Sequence, residues 1–221
     1  MKRHIPNLLT AGNLVSGCAG IIFSFKYPEV PVAYFIWIAC GFDFLDGFAA
    51  RLLKVTSDIG KELDSLADVV SFGVLPALMI FQSVSKHNES IAWAGLLLAV
   101  AAAFRLAKFN TDTRQTENFI GLPTPAMALF ISALPFVTER FMLQEYVMEI
   151  YLILTMLMSY LMVSALNLPA LKFKQLNWKD NKLKFTVVAA ALIAVIGFGA
   201  AGISMAILFY ILTSFFQPKI N

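Results

Sequence analysis

The chain has 221 residues, of which 59% are hydrophobic and 14% charged, with a formal net charge of +3 and a mean hydropathy of +0.74. Soluble domains carry about 25% charged residues, so a water-soluble enzyme or binding module is excluded and an all-α polytopic membrane protein is expected. Cys18 and Cys40 both lie in apolar stretches, and neither a disulfide nor a thiolate metal site is expected of them.

A spanning helix needs about 20 mostly apolar residues. Lys2, Arg3 and His4 precede the first such run, over 8–25. The tetrapeptide VSGC at 15–18 has the look of a lipoprotein processing box, but the long apolar-rich chain that follows argues for a first membrane helix. Further spans fall over 31–53, 60–82, 91–109, 122–138 and 146–166. Pro76, three residues after Gly73, is expected to kink the third. The remaining apolar run, 184–216, contains Gly197, Gly199 and Gly202. As one helix it would be roughly 50 Å long, against a bilayer core of about 30 Å. A helical hairpin at the glycines is therefore expected, making eight transmembrane helices in a single integral membrane domain, 1–221.

Charge placement agrees with that count. With the N-terminus inside, 14 of the 17 Lys and Arg fall on internal segments, and only Lys26, Lys86 and Arg140 fall outside. The positive-inside rule then puts both termini in the cytoplasm. The basic stretch LKFKQLNWKDNKLKF, 171–185, becomes an internal loop, suited to anionic headgroups or acting simply as a topology signal. His4 and His87 fall at predicted membrane boundaries and are expected to be solvated.

One stretch breaks the apolar pattern. In DFLDGFAARLLKVTSDIGKELDSLAD, 43–68, Asp43 and Asp46 are three residues apart and Asp64 and Asp68 four, so each pair lies on one face of its helix. The second and third helices are joined by a short internal loop, which makes them antiparallel neighbours and lets the pairs converge near the cytoplasmic side. Charged aspartate at a helix centre costs about 2.5–3.5 kcal/mol on insertion scales. Four together require neutralising cations, and all-oxygen ligands suit Mg²⁺, Mn²⁺ or Ca²⁺, with two divalent ions balancing four carboxylates. No His or Cys stands near enough in sequence to favour zinc. Gly47, Ala50 and Gly60 leave room beside the carboxylates for a ligand, or serve close helix packing. Arg51 can meet a phosphate bidentately or anchor the helix at the interface. Together these features point to displacement at the phosphorus of a metal-held phosphate ester.

The pattern Asp43-x-x-Asp46-Gly47-x-x-Ala50-Arg51, eight residues, Gly60-x-x-x-Asp64-x-x-x-Asp68 resembles the signature of the CDP-alcohol phosphatidyltransferases. IPNLLTAGNLVSG near the start, KELDSLADVVSFGVLPA, FRLAKFN and GLPTPA resemble the phosphatidylserine synthase branch of that family. The resemblance covers roughly residues 5 to 136. It implies that Asp43, Asp46, Asp64 and Asp68 hold two divalent cations, Mg²⁺ or Mn²⁺ with Ca²⁺ a possible occupant, and that Asp68 is also the general base. It implies CDP-diacylglycerol contacts at Gly47, Ala50, Arg51, Ser57 and Gly60, with Asn7 and Thr10 as further candidates, and serine contacts at Arg105 and Lys108. Lys108 stands where the branch is expected to carry arginine; it keeps the charge and loses a bidentate contact. The implied reaction converts CDP-diacylglycerol and L-serine to phosphatidylserine and CMP, in the cell membrane, at a site facing the cytoplasm. A homodimer is implied, and no nucleic-acid partner.

Other acceptors, such as glycerol 3-phosphate or inositol phosphate, would use the same chemistry with more cationic groups. Arg105, Lys108 and Arg114 could serve either type. Intramembrane carboxylates also mark ion paths, so an ion-coupled transporter or metal carrier is the rival of another class. The inverted repeats and broken helices common in transporters are not evident in the sequence. A membrane scaffold fits the aspartate spacing less well.

Overall fold

A computed structural model describes residues 4–55, 57–111, 118–169 and 178–213. Eight helical segments run through them. These are α1 (His4–Lys26), α2 (Ala33–Leu53), α3 (Asp58–Ser85), α4 (Glu89–Thr111), α5 (Thr124–Arg140), α6 (Gln144–Val163), α7 (Trp178–Phe198) and α8 (Ala201–Thr213). Each expected span corresponds to one helix, but among the described residues only α1, α2, α3, α4 and α6 are long and apolar enough to cross a membrane by themselves. Helix α5 has 17 residues, and the apolar parts of the last two, Lys184–Phe198 and Ala201–Thr213, are shorter. Lys2, Arg3, Arg114, Lys172, Lys174 and Lys219, and with them much of the basic 171–185 stretch, lie outside the described residues.

The expected break in the last apolar run falls at Gly199, whose φ of +59° turns the chain between α7 and α8. Helix α3 is a 28-residue rod in three parts: α-helical over Asp58–Asp68, π-helical over Val69–Val74 and α-helical again over Leu75–Ser85. Pro76 has no N–H for the carbonyl of Phe72, and its ring crowds that carbonyl, which favours a wider turn just before it. The disturbance expected at Pro76 is thus taken up as a π turn that begins immediately after Asp68.

One departure from an all-α chain is small. Asn118–Ile120 (β1) and Asn167–Pro169 (β2) pair antiparallel, with Phe119 opposite Leu168. The ribbon delivers the chain to Gly121, at φ +78°, where a Cβ would collide with the carbonyl oxygen of Met162. Periodicity cannot signal strands this short.

Helix α1 turns a small, polar face inward: Thr10, Asn13, Ser16, Gly17, Gly20 and Ser24 are its buried residues. A Cβ at Gly17 would overlap Ser71 Oγ and come within 2.9 Å of the Ser71 Cα, so only glycine allows α1 to lie this close to α3. Phe72 and Leu75 of α3 pack with Ile36 and Ala39 of α2 and Ala128 of α5. A larger cluster joins Ile80, Leu98, Met127, Phe130, Ile131, Met158 and Met162. The outer faces carry exposed Leu8, Val15 and Ile22 on α1, Ile153, Met156 and Tyr160 on α6, and Ile193 and Ile196 on α7. That surface suits hydrocarbon, where apolar exposure carries no penalty.

Candidate active site

The site begins with how α2 stops and α3 starts. Lys54 takes a left-handed conformation, φ 53°, ψ 43°, and its N–H with that of Val55 closes the end of α2 on the carbonyls of Arg51 and Ala50. Ser57 is the N-cap of α3, its Oγ accepting from the Gly60 N–H at 3.0 Å. A side chain on Gly60 would press on Ser57 Oγ at 2.9 Å and on Asn7 Oδ1 at 3.1 Å. The short reversal turns the chain back from α2 into α3, but the two helices do not pack directly as expected from the loop length: α1 lies against both, and α2 and the start of α3 come together through their carboxylates.

Their carboxylates then meet. Oxygens of Asp43, Asp64 and Asp68 lie within 4.8 Å of one another. Asp46 acts electrostatically on Asp43, Asp64 and Asp68, but is turned to α1, where it accepts a 2.6 Å hydrogen bond from the Thr10 hydroxyl. Asp46 and Asp68 are buried, and Asp43 and Asp64 half-buried. Asn13 Nδ2 donates to Asp68 Oδ1 at 3.0 Å. Asp64 Oδ1 is buried with no hydrogen-bond partner among the described residues. A buried, unpartnered carboxylate oxygen beside two other carboxylates fits a divalent cation, and the all-oxygen donor set suits Mg²⁺, Mn²⁺ or Ca²⁺.

Next to the cluster lies a cavity of about 500 Å³, within the usual range for small-molecule sites. Asn7, Thr10, Asp46, Gly47, Ala50, Ser57, Gly60 and Asp64 line it, with Pro6, Val55, Asp58 and Lys61. Six of the seven expected nucleotide contacts are therefore in its wall. The seventh, Arg51, is exposed outside that wall; its Nη1 would stand 3.3 Å from a Cβ on Gly47, and its charge acts on Asp46. A second cavity of about 470 Å³ lies at the opposite helix ends, among Ser24, Gln82, Lys86 and Phe136, away from the carboxylate cluster.

The two expected serine contacts part company. Arg105 is buried, donates from Nη1 to Thr124 Oγ1 at 3.1 Å, lies over the Phe109 ring, and is within electrostatic reach of Asp68. Its Nε is buried without a hydrogen-bond partner among the described residues. Lys108 is exposed, and Arg114 lies outside the described residues. Three residues of the site were not anticipated. Asn13 holds Asp68. Thr124, from GLPTPA, holds Arg105. Asn110 of FRLAKFN ties α4 to α3: its carbonyl accepts from Lys61 Nζ at 2.9 Å and its Nδ2 donates to Ser65 Oγ at 2.9 Å. The available signal for Asn13 was its place three residues after Thr10 on the small, polar face of a membrane helix.

The profile of the CDP-alcohol phosphatidyltransferase family matches residues 3–161. A CDP-diacylglycerol–serine O-phosphatidyltransferase of Bacillus subtilis is 36% identical over 146 residues, 64% of this chain and 80% of that protein. One of Helicobacter pylori, of the same name, is 40% identical over 129 residues, 57% of this chain and 54% of its own length. An archaetidylserine synthase of Methanothermobacter thermautotrophicus is 35% identical over 131 residues, 58% of this chain and 56% of that protein. The chain thus spans most of the first relative and about half of the other two.

Proposed function

As this chain belongs to the CDP-alcohol phosphatidyltransferase family, we propose that it transfers the phosphatidyl group of CDP-diacylglycerol to L-serine, giving phosphatidylserine and CMP. The observation that carries this reading is the meeting of Asp43, Asp64 and Asp68 beside a cavity walled by the signature residues Asp46, Gly47, Ala50 and Gly60. The relatives' names favour serine as the acceptor and differ in the lipid.

In this reading Asp43, Asp46, Asp64 and Asp68 would hold two divalent cations. When bound, such ions neutralise the carboxylates and stabilise the charge that builds on the phosphoryl oxygens. The glycines and Ala50 admit the nucleotide to the backbone, and Arg51 meets it at the rim. Asp68, held by Asn13, accepts the proton of the serine hydroxyl. The serine oxygen bonds to the phosphorus that carries diacylglycerol. The bond from that phosphorus to the bridging oxygen breaks, and CMP leaves with the electron pair. Arg105, with its free Nε, takes the serine carboxylate. The chain crosses the cell membrane eight times as a homodimer, with both termini and the site on the cytoplasmic side.

The direct test is purified protein with CDP-diacylglycerol and labelled serine. Labelled lipid and equimolar CMP are expected. Turnover of glycerol 3-phosphate without serine turnover would keep the chemistry and refute the acceptor.

A further inference from the structure

We infer that Asn13 of α1 is a positioning residue for Asp68, fixing one carboxylate oxygen so that the other is presented to the centre formed with Asp43 and Asp64. The inference rests on the metal-dependent transfer proposed above.

Three observations carry it. First, Asn13 is fully buried, and its Nδ2 donates to Asp68 Oδ1 at 3.0 Å across 55 residues of chain. The amide must face this way, because turning it would set Oδ1 against a carboxylate. Second, the contact is built from both sides. Gly17 lets α1 approach so closely that Ser71 Oγ, one turn beyond Asp68, donates to the Asn13 carbonyl at 3.0 Å. Asn13 is thereby held by its backbone while its side chain holds Asp68. Third, Asn13 Oδ1 is buried and has no hydrogen-bond partner among the described residues, so the one end of this amide in use is the nitrogen on Asp68.

The same helix face carries Thr10, three residues earlier, bonded to Asp46. Helix α1 thus grips one carboxylate of each pair: Asp46 from α2 and Asp68 from α3. It leaves Asp43 and Asp64 to be oriented by the centre itself. Outer-shell partners of metal-ligating carboxylates fix ligand geometry, and their loss typically lowers metal affinity or activity by about 10- to 100-fold.

The test uses full-length protein in detergent with Asn13→Leu, which keeps the volume and removes the donor. Asn13→Ser, too short to reach Asp68, stands in where the leucine variant does not elute as folded protein. Ser24→Ala is the control, because it removes the bond from Gln82 Nε2 that links the same two helices at their other end, away from Asp68. Two readouts are taken: Mn²⁺ binding, from the resonance of free Mn²⁺, and CMP release at varied serine and CDP-diacylglycerol. The Asn13 variant is expected to weaken Mn²⁺ binding about tenfold and to lower kcat by about 10- to 100-fold, with the KM for CDP-diacylglycerol within about threefold. Ser24→Ala is expected to stay within about threefold of wild type in both. An Asn13 variant within threefold of wild type in both readouts overturns the inference, as does a loss equal to that of Ser24→Ala or one confined to the CDP-diacylglycerol KM. Wild-type protein that binds no Mn²⁺ overturns it too. Wild type that binds Mn²⁺ but releases no CMP with serine refutes the proposed reaction, and the Mn²⁺ arm still decides the role of Asn13.

Discussion

The Thr10 hydroxyl donates a 2.6 Å hydrogen bond to Asp46 Oδ2 across 36 residues of chain, in preference to the 3.1 Å contact with the Pro6 carbonyl one turn back on its own helix. A threonine in a membrane helix ordinarily returns its proton to that local carbonyl. Here it gives the shorter bond to a carboxylate on the neighbouring helix, so α1 belongs to the candidate site as well as to the membrane anchor.

Thr10→Val keeps the shape and removes this donor. A buried hydrogen bond to a charged group contributes about 1.5–3 kcal/mol, so the thermal midpoint in detergent should fall. CMP release should drop by roughly tenfold as Asp46 loses its orientation. Unchanged values for both would mean that the hydroxyl serves only the Pro6 carbonyl.

Chelation should abolish turnover, and Mg²⁺ or Mn²⁺ should restore it, because the carboxylates gathered around Asp43 need cations to coexist. Binding to the folded protein should also raise its melting temperature, by the equivalent of about 2.7 kcal/mol at a hundred times Kd. Asp43→Asn should lose most of that protection. Full turnover after exhaustive chelation would remove the metal from the reaction.

Asp68→Asn keeps the size and one ligand oxygen but cannot take a proton. CDP-diacylglycerol binding should stay within about tenfold of wild type, while turnover falls by a factor on the order of 10² or more. Asp43→Asn should instead weaken nucleotide binding along with metal binding. Near-normal, serine-dependent CMP release from Asp68→Asn would assign the proton to another group.

Arg105 and Lys108 can be separated by kinetics. Arg105→Ala should raise the serine KM by roughly tenfold or more, the value of a charge-assisted hydrogen bond, and raise the CDP-diacylglycerol KM far less. Exposed Lys108 should tolerate alanine with changes under about threefold. Equal effects on both substrates in Arg105→Ala would point to lost packing around Thr124 in place of a serine contact.

Tags at both termini should be protected in intact cells and accessible in inverted vesicles. An external C-terminus would refute eight crossings, and suspicion would then fall on α5 or the α7–α8 hairpin, the helices too short to span by themselves.

The carboxylate pairs were readable because helical spacing alone sets Asp43 with Asp46 and Asp64 with Asp68, and a short loop turns the second pair back toward the first; that α1 would lie against both helices was not. The hairpin was readable for a similar reason: an apolar run with no charge after Lys184, too long for a bilayer, must fold back where glycine permits it, and Gly199 does so. Spacing could not say which oxygens finally converge. That depends on the third helix of the group, α1, which draws Asp46 aside through Thr10 and leaves Asp43, Asp64 and Asp68 as the close set. Nor could it divide Arg105 from Lys108. Three residues apart on a helix, they seem alike in sequence, and only the packing of Thr124 and Phe109 makes one buried and the other exposed. Asn13 was hidden for the same reason, since its partner comes from 55 residues away.

The π turn over Val69–Val74 holds one residue more than an α-helical turn would. The two ends of α3 are therefore out of phase by about one residue, or about 100° of rotation about the axis. Below the turn the rod aims Asp64 and Asp68 at their partners; above it, Leu75 and Ile80 face the core. Removing one residue between 69 and 74 would let the turn close to an ordinary α-helix with both ends keeping their aim. Removing one between Asp64 and Asp68 would swing one carboxylate away from the other. Chemistry and anchorage thus share a single continuous rod, and the residue absorbed in the π turn shifts the sequence register between them while each end keeps its own aim.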